Sequence, residues 1–299
     1  MYVPEIRVQG LNTSRNTASA ADTIQSYVTC NGGSFCGDAR APIAVSYAVT
    51  SPSPAGIVAF TTAADTIATD AQYSGSLGTL GTPTVAGTYK VTPSATGLTS
   101  FESGAATVSN PLTIYGSGTV GAGLTLTNYY YVSVNDAVAT PQTITLTSSD
   151  PTKLLSSTAT IPAGSTYGYF AVSGVAAGSP TLTANKTGWT SSTAVTVPVA
   201  ATGLAFLSGP PTSQLVASGP ATFYVYARCG TSYCGEFTAA PVVTLTSSAP
   251  SVATVAVLSA TAGSQYFSGT MTPVAAGTYT ITAAIPGFTT STSGTLTIQ

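Results

Sequence analysis

The stretch Thr140–Pro151, TPQTITLTSSDP, recurs one hundred residues later as Ala240–Pro250, APVVTLTSSAP, and earlier in looser form as Ala41–Pro54, APIAVSYAVTSPSP. A proline in register precedes a predicted strand in each copy: Pro42, Pro141 and Pro241. A fixed period of this length indicates tandem copies of one domain. We therefore expect three domains, at residues 1–110, 111–200 and 201–299.

Within each copy the apolar residues alternate with polar ones. Tyr89 and Val91 fall on one face of a predicted strand and Lys90 on the other. This period of two is typical of half-buried antiparallel strands, and glycine, proline, serine or asparagine interrupts the apolar runs every 8 to 12 residues or so. No segment shows a sustained helical period. The sequence predicts an all-β protein built from β-sandwiches.

Two long segments carry a resemblance to a known family. Thr143–Trp189, TITLTSSDPTKLLSSTATIPAGSTYGYFAVSGVAAGSPTLTANKTGW, and Val242–Phe288, VVTLTSSAPSVATVAVLSATAGSQYFSGTMTPVAAGTYTITAAIPGF, resemble the bacterial immunoglobulin-like (Big) domains. The first copy is less similar to the family. The resemblance implies three tandem immunoglobulin-like β-sandwich domains of the kind found in surface proteins, adhesins and some phage virions.

The predicted connections between copies are short. Val108–Gly116, VSNPLTIYG, and Val197–Gly209, VPVAATGLAFLSG, pass almost directly from the last strand of one copy into the first strand of the next. Proline and β-branched residues restrict the backbone there, unlike Gly/Ser-rich linkers. We expect the three domains to form a stiff, elongated rod.

Composition excludes several classes of function. Charged residues make up 5% of the chain, the net charge is −2 and there is no histidine. Scattered single cations do not form a basic stripe, so we expect no nucleic-acid partner. Without histidine the usual catalytic triads are impossible, and the nine acidic residues are dispersed. The sequence predicts no catalytic residue, no cofactor and no metal site, and hence a protein that is not an enzyme.

The sequence also predicts no insertion into a membrane. No run approaches 18 consecutive apolar residues, and the first ten residues, MYVPEIRVQG, lack the features of a signal peptide. The lack of signal-peptide features has two interpretations. The chain is either a mature or recombinant form of a secreted protein, or a protein that assembles inside the cell as virion parts do.

All four cysteines lie in two similar loops, SYVTCNGGSFCGDARAP at 26–42 and VYARCGTSYCGEFTAAP at 225–241. Their spacing predicts two local disulfides, Cys30–Cys36 and Cys229–Cys234. A shared zinc site and free or intermolecular thiols remain alternatives. In copy two the corresponding stretch, SVNDAVATP, offers Asn135 and Asp136 as turn formers. Disulfides imply an oxidising location such as the cell surface, or a released virion.

Tyrosines on two strands face away from the predicted core. NYYYV places Tyr129 and Tyr131 on the outer face, and FYVYA does the same for Tyr224 and Tyr226. Tyrosine supplies contact area with little loss of entropy. These four residues are candidates for packing against a neighbouring loop, for an assembly contact or for glycan binding.

Together these features favour a structural protein that forms an extracellular fibre, sheath or adhesive surface layer. The expected partners are copies of itself or other surface or virion proteins, with glycans as a further class. The first strand, EIRVQGL, is a candidate for strand exchange if it forms an exposed edge. The alternatives are a phage decoration or tail protein and a carbohydrate-binding surface module.

Overall fold

The computed structural model describes residues 3–35, 37–75 and 77–299. Every regular element in these residues is a β-strand, and none of them is helical. The all-β fold of tandem immunoglobulin-like sandwiches predicted from the sequence is confirmed. The names domain 1, domain 2 and domain 3 denote residues 3–110, 111–200 and 201–299.

The strands have the following bounds in the described residues. Those of domain 1 are β1 Pro4–Gln9, β2 Ser14–Arg15, β3 Asp22–Cys30, β4 Ile43–Ser53, β5 Phe60–Thr62, β6 Ala64–Ile67, β7 Gly78–Leu80, β8 Gly87–Ser94, β9 Thr99–Ser100 and β10 Ala106–Val108. Those of domain 2 are β11 Thr113–Gly116, β12 Val120–Gly121, β13 Leu124–Ser133, β14 Gln142–Ser148, β15 Leu154–Ser156, β16 Ala159–Ile161, β17 Tyr167–Gly174, β18 Thr181–Asn185, β19 Val195–Thr196 and β20 Val199–Ala200. Those of domain 3 are β21 Gly203–Ser208, β22 Ser213–Gln214, β23 Ala221–Arg228, β24 Glu236–Phe237, β25 Thr244–Ser247, β26 Ala253–Ser259, β27 Tyr266–Pro273, β28 Gly277–Tyr279, β29 Ile281–Ala284, β30 Ser291–Thr292 and β31 Leu296–Ile298.

Each domain has a sheet built around one long central strand. The strand orders of these sheets are β5-β7-β3-β1-β9 in domain 1, β11-β13-β17-β15 in domain 2 and β21-β23-β27-β26 in domain 3. The remaining strands form a second layer: β2-β10-β8-β4-β6 in domain 1, β16-β14-β18-β19 with the pair β12-β20 in domain 2, and β22-β31-β28 with β25-β29-β30 in domain 3. Buried residues from both layers of each domain form one core.

Alternation of side chains explains how these sheets form their cores. In β23, Phe223 and Val225 are fully buried while Tyr224 between them is exposed. Successive residues of a strand point to opposite faces, so an alternating sequence gives one apolar face and one outer face.

Strands β4 and β14 begin directly after Pro42 and Pro141, whereas β25 begins three residues after Pro241.

The apolar cores extend across the boundaries between domains. Leu124, the first residue of β13 in domain 2, belongs to the buried core of domain 3. Ala18 of domain 1 packs against the core of domain 2. The connections are short as well, because β10 ends at Val108 and β11 begins at Thr113, and β20 ends at Ala200 and β21 begins at Gly203.

Strand β1 is not an exposed edge. It pairs antiparallel with β3 from Pro4↔Cys30 to Gln9↔Gln25, and parallel with β9 at Glu5↔Thr99 and Ile6↔Ser100. The Ile6 side chain is fully buried in the core of domain 1. The expectation that EIRVQGL forms an exposed edge is wrong, because Glu5 and Ile6 are paired on both sides, and exchange of this strand between copies stays a prediction.

A buried cation lies near the end of domain 1. Arg15 is fully buried, and its guanidinium donates hydrogen bonds to the Ala20 carbonyl at 2.6 Å, the Gly81 carbonyl at 3.0 Å and the Tyr89 hydroxyl at 3.3 Å. Three acceptors compensate for much of the lost hydration of the charge. Nothing in the sequence pattern indicated that this cation would be inside the protein.

Two classes of shifted acid group act on stability, carboxyls whose pKa is lowered and tyrosines whose pKa is raised, and the Asp22 carboxyl, whose pKa burial raises, belongs to neither. Hydrogen bonds from Lys90 and Thr50 lower the pKa of the Glu102 carboxyl, and those from Thr152 and Lys153 lower the pKa of Asp150. Burial raises the pKa of the Tyr89 hydroxyl, as it does for other buried tyrosines: Tyr47, Tyr130 and Tyr279. Carboxyls of the first class stabilise the fold above their unfolded pKa and lose that effect as the pH falls. The tyrosines destabilise it as the pH rises past their ordinary value, 10.0.

We predict that stability is nearly independent of pH between about pH 6 and pH 9, because the chain lacks histidine, the carboxyls with a lowered pKa titrate below that window and the tyrosines with a raised pKa titrate above it. The free energy of unfolding should fall below about pH 4 and above about pH 10. Urea unfolding followed by tyrosine fluorescence or circular dichroism checks this. A change in the urea midpoint with pH inside the window would contradict the prediction.

Candidate functional site at the interdomain joints

Each domain has a loop that follows its long central strand, here called the docking loop. The docking loops comprise residues 30–35 and 37–41 of domain 1, 134–140 of domain 2 and 229–239 of domain 3. In each loop one buried residue exchanges two backbone hydrogen bonds with a turn of its own domain: Ala39 with residues 70 and 71, Val138 with 164 and 165, and Phe237 with 263 and 264. The three loops are therefore held in the same way.

The docking loop of domain 2 binds domain 1 through its backbone. Val138 forms an antiparallel bridge with Ser19, and the Ala139 N–H donates to the Ala18 carbonyl at 2.6 Å. The Ser19 hydroxyl donates to a carboxylate oxygen of Asp136 at 2.5 Å. We call residues 14–20 of domain 1 its receiving turn.

Asn135 and Asp136 do more than form a turn. The Asp136 carboxylate accepts a hydrogen bond from the Ala137 N–H at 2.9 Å, as expected of a turn former. The Asn16 side chain, in the receiving turn, also donates to the Asp136 carbonyl at 2.8 Å, and the Asn135 side chain donates to the Arg15 carbonyl at 3.0 Å. Both residues thus connect two domains, which the sequence pattern did not indicate.

The docking loop of domain 3 binds domain 2 at the corresponding place. Its strand β24 pairs antiparallel with the start of β13, with Phe237 opposite Leu124 and Glu236 opposite Thr125. The Gly121 N–H donates to the Cys234 carbonyl at 2.8 Å. The receiving turn of domain 2, residues 120–125, therefore extends its own sheet with a strand of domain 3.

A buried linker residue completes each joint. Asn110 accepts a hydrogen bond from the Thr17 N–H on its side-chain oxygen, and its own carbonyl accepts one from the Thr190 N–H. Thr202 makes the same kind of bridge, since its hydroxyl donates to the Ala122 carbonyl and its carbonyl accepts from the Thr289 N–H. Each linker residue is thus fixed to both of the domains it connects.

A disulfide joins Cys229 and Cys234, whose Cα atoms are 5.8 Å apart. It closes the docking loop of domain 3, and the Cys234 side chain is fully buried in that domain's core. Because the Cys234 carbonyl accepts the bond from Gly121, the bridge fixes a group that binds domain 2. The predicted Cys30–Cys36 disulfide lies outside the described residues, since Cys36 is not among them.

The glycine after each second cysteine has a left-handed backbone. Gly235 has φ +125°, and a Cβ atom there would lie 2.7 Å from the Thr125 carbonyl oxygen and 3.1 Å from the Leu124 Cβ. Gly37 of domain 1 has φ +110°, and a Cβ there would meet no atom within 4 Å. The two glycines share a left-handed φ, and among the described residues a Cβ at Gly235, unlike one at Gly37, would meet atoms of a neighbouring domain.

The four candidate tyrosines belong to three different surroundings. Tyr129 contacts Tyr233 in the docking loop of domain 3, with ring centroids 6.1 Å apart, so it lies at the joint. Tyr131 is part of a domain 2 cluster, the tyrosine face, whose ring centroids lie 5.3 to 5.6 Å from its own: Tyr115, Tyr167 and Tyr169. Tyr224 and Tyr226 both contact Tyr266 in domain 3.

The sequence candidates omitted the partners of these tyrosines. Tyr167 and Tyr169 are two residues apart in TYGYF, so they lie on the same face of the strand. This spacing could have identified both as outward-facing residues from the sequence. The separation of Tyr129 from Tyr131 follows from a bulge in β13 between Leu126 and Tyr130. A bulge of this kind redirects side chains, and nothing in the local sequence marks it.

The described residues offer little for chemistry. They contain no group of three histidine, cysteine, aspartate or glutamate side chains able to hold a metal ion. A groove of about 340 Å³ lies between domains 1 and 2 and is lined by residues that include Val85, Asn110 and Trp189. Among the residues described there is also no helix that could span a bilayer.

No protein-family model and no curated protein matches this chain. Among solved structures it is similar to domains 4 and 5 of the S-layer protein SbsC, with TM-score 0.29 and 22% identity, covering 52% of this chain and 75% of that one. It is similar to SbsC domains 4–9, with TM-score 0.32 and 18% identity, covering 100% of this chain and 48% of that one. It is also similar to the Yersinia pseudotuberculosis adhesin InvE, with TM-score 0.30 and 15% identity, covering 63% of this chain and 58% of that one. At these values the likenesses assign no function to this chain.

We predict that Gly235→Ala opens the joint between domains 2 and 3, whereas Gly37→Ala leaves it intact. Both alanines are strained by a left-handed φ, but only the alanine at 235 collides with Thr125. Amide hydrogen exchange at Gly121, the donor to the Cys234 carbonyl, should accelerate in Gly235→Ala alone. Equal exchange rates in the two variants would show that the close approach at residue 235 does not hold the joint.

Proposed function

We propose that this chain is a non-enzymatic structural protein, a stiff building block of an extracellular fibre, sheath or surface layer. The observation that carries this proposal is the pair of joints in which backbone hydrogen bonds, a buried linker residue and core side chains connect consecutive domains. Domains joined only by a flexible linker move relative to one another. These joints oppose such motion.

The joints lie at opposite ends of domain 2. Domain 3 pairs with Leu124 and Thr125 at the start of β13, and domain 1 contacts the loop that follows Ser133 at its end. A ten-residue strand spans about 30 Å at roughly 3.4 Å per residue. This separation supports an arrangement in which the three domains follow one another along a line.

An extracellular location fits the chemistry of the chain. The disulfide at Cys229 and Cys234 is stable in oxidising surroundings and rare in the cytosol. A chain with 5% charged residues and a net charge of −2 has little electrostatic repulsion to keep copies apart. A component of a virion outside the cell meets the same requirements and is the alternative setting.

The proposal is tested by small-angle X-ray scattering. A compact globule of 299 residues has a radius of gyration of about 19 Å, and we predict a clearly larger value with a scattering profile typical of a stiff rod. Asp136→Ala should make the particle more flexible, because it removes the carboxylate that accepts the Ser19 hydroxyl bond across the joint. The matched control is Asp150→Ala, which removes a turn carboxylate bonded within domain 2.

A compact wild-type particle, or equal flexibility in the two aspartate variants, would contradict the stiff-rod proposal. Electron microscopy of native material then decides the setting, since a filament or lattice supports a surface structure and a particle with a capsid or tail supports a virion component. Dispersed monomers in native material would argue against a building block of either kind.

The tyrosine face supports a second candidate function, the binding of glycans. Its members other than Tyr131 are about half exposed, and each of their ring centroids lies within 6 Å of the Tyr131 ring on the outer face of the sheet. Exposed aromatic faces can stack on sugar rings, since tyrosine combines an apolar face with a hydroxyl group.

We predict that, if glycans bind this chain, Tyr131→Ala weakens binding at least about tenfold by removing the ring that contacts the other three. Tyr129→Ala is the matched control, because Tyr129 lies at the joint instead of in this cluster. A glycan array followed by calorimetry measures the effect. Absence of any glycan binding, or equal losses in the two variants, would exclude the tyrosine face as the site.

A further inference from the structure

The docking loop of domain 1 resembles the docking loops of domains 2 and 3, but in the described residues no other domain contacts it. Its Ala39 is held like Val138 and Phe237, and Gly37 has the left-handed backbone of Gly235. Phe35, the counterpart of Tyr233, is 63% exposed. Among the described residues, residues 31–35 and 37–41 form hydrogen bonds with residues of domain 1.

The receiving turn of domain 3, residues 213–219, has the conformation of the receiving turn of domain 1. The Ser218 N–H donates to the Leu215 carbonyl at 3.0 Å, as the Ser19 N–H does to the Asn16 carbonyl at 3.1 Å. The Gln214 side chain donates to the Gly219 carbonyl, as Arg15 does to the Ala20 carbonyl. The sequences TSRNTAS at 13–19 and TSQLVAS at 212–218 match at both ends.

Burial shows that the second of these turns is uncovered. Asn16 and Ser19 are fully buried by the docking loop of domain 2. Their counterparts in domain 3 are more accessible, since the Leu215 side chain is 59% exposed and Ser218 is half-buried. The side-chain oxygen of Gln214 is buried and accepts no hydrogen bond. Domain 3 thus presents a turn of the kind that binds a docking loop elsewhere in the same chain.

We propose that a second copy of this chain occupies the receiving turn of domain 3 with the docking loop of its domain 1. By analogy with Val138 on Ser19, Ala39 of one copy would bridge to Ser218 of the other, and the Arg40 N–H would donate to the Ala217 carbonyl. Phe35 would cover Leu215. This inference rests on the proposed structural role and adds the partner and the surfaces that join it.

The chemistry of the two surfaces favours a second copy as the partner. The receiving turn and its flanks, residues 207–220, carry no charge, so Asp38 and Arg40 of the docking loop meet no like charge there when the surfaces meet. The two surfaces differ, so the contact is heterologous and repeats from copy to copy, which builds an open filament when the rotation between copies does not close a ring. The internal joints exist twice already, which shows that this loop and this kind of turn fit together.

Association between copies should be weaker than the internal joints. A short linker raises the effective concentration of a tethered partner to the millimolar range, and separate copies lack that advantage. We therefore expect concentration-dependent oligomers of the purified chain to form by about 1 mM, measured by sedimentation velocity and static light scattering.

Three glutamate variants test the surfaces. Phe35→Glu and Leu215→Glu should each weaken association about tenfold or more, because a carboxylate would enter an apolar contact. The matched control is Leu258→Glu, which alters a leucine of similar exposure, 60%, on the edge strand β26 and should associate like wild type. Unchanged thermal unfolding verifies that each variant is folded.

A mixing experiment identifies the head-to-tail geometry. The Phe35→Glu chain keeps its receiving turn and the Leu215→Glu chain keeps its docking loop, so an equimolar mixture should form dimers and no larger species. Dimers in the mixture, with monomers in each variant alone, are the result expected. Should one of these variants fail to fold, the other still tests its own surface, because its association is compared with that of Leu258→Glu.

A wild-type chain that stays monomeric at about 1 mM would overturn the proposal, and so would association that survives Phe35→Glu and Leu215→Glu. Loss of association in Leu258→Glu alone would assign the contact to the edge of β26 and would equally overturn it. None of these outcomes affects the stiff-rod proposal, because scattering from the monomer reports on the internal joints independently.

Discussion

Pairing between the backbone of a docking loop and the turn of the preceding domain is the interaction on which the arrangement of this protein depends. Val138 bridges to Ser19, and Phe237 pairs with Leu124. Backbone groups are present at every residue, so the same pairing can form with different side chains around it. This explains how joints with the same geometry can be polar in one place and apolar in another.

The two internal joints hold their loops rigid by different chemistry. The loop of domain 3 is closed by the disulfide between Cys229 and Cys234, which removes chain entropy before docking. The shorter loop of domain 2 has no cysteine, and Asp136 instead binds both its own turn and Ser19. A long glycine-containing loop needs a covalent closure to present its carbonyls in fixed positions, whereas a short loop can rely on hydrogen bonds.

The sequence predicted those features that depend on local order along the chain. The hundred-residue period, the alternation around Tyr89 and the short connections all appear in the structure, because strand faces follow from parity alone. Features that depend on which strands become neighbours were not predictable. The pairing of β1 on both sides, the burial of Arg15 and the grouping of Tyr131 with Tyr167 are of this kind.

The scarcity of charge matters most at the joints. Burial raises the pKa of the Asp22 carboxyl in domain 1, and the nearby Asp136 of domain 2 acts in the same direction. The joint between domains 1 and 2 thus brings two carboxylates close to the buried Arg15, and it tolerates them because one cation and several hydrogen bonds lie beside them. The joint between domains 2 and 3 instead buries Leu124 and Phe237 in one apolar core. A surface poor in ions can form either kind of joint without leaving a charge unpaired, and this is the physical reason that so weakly charged a chain suits repeated end-to-end packing.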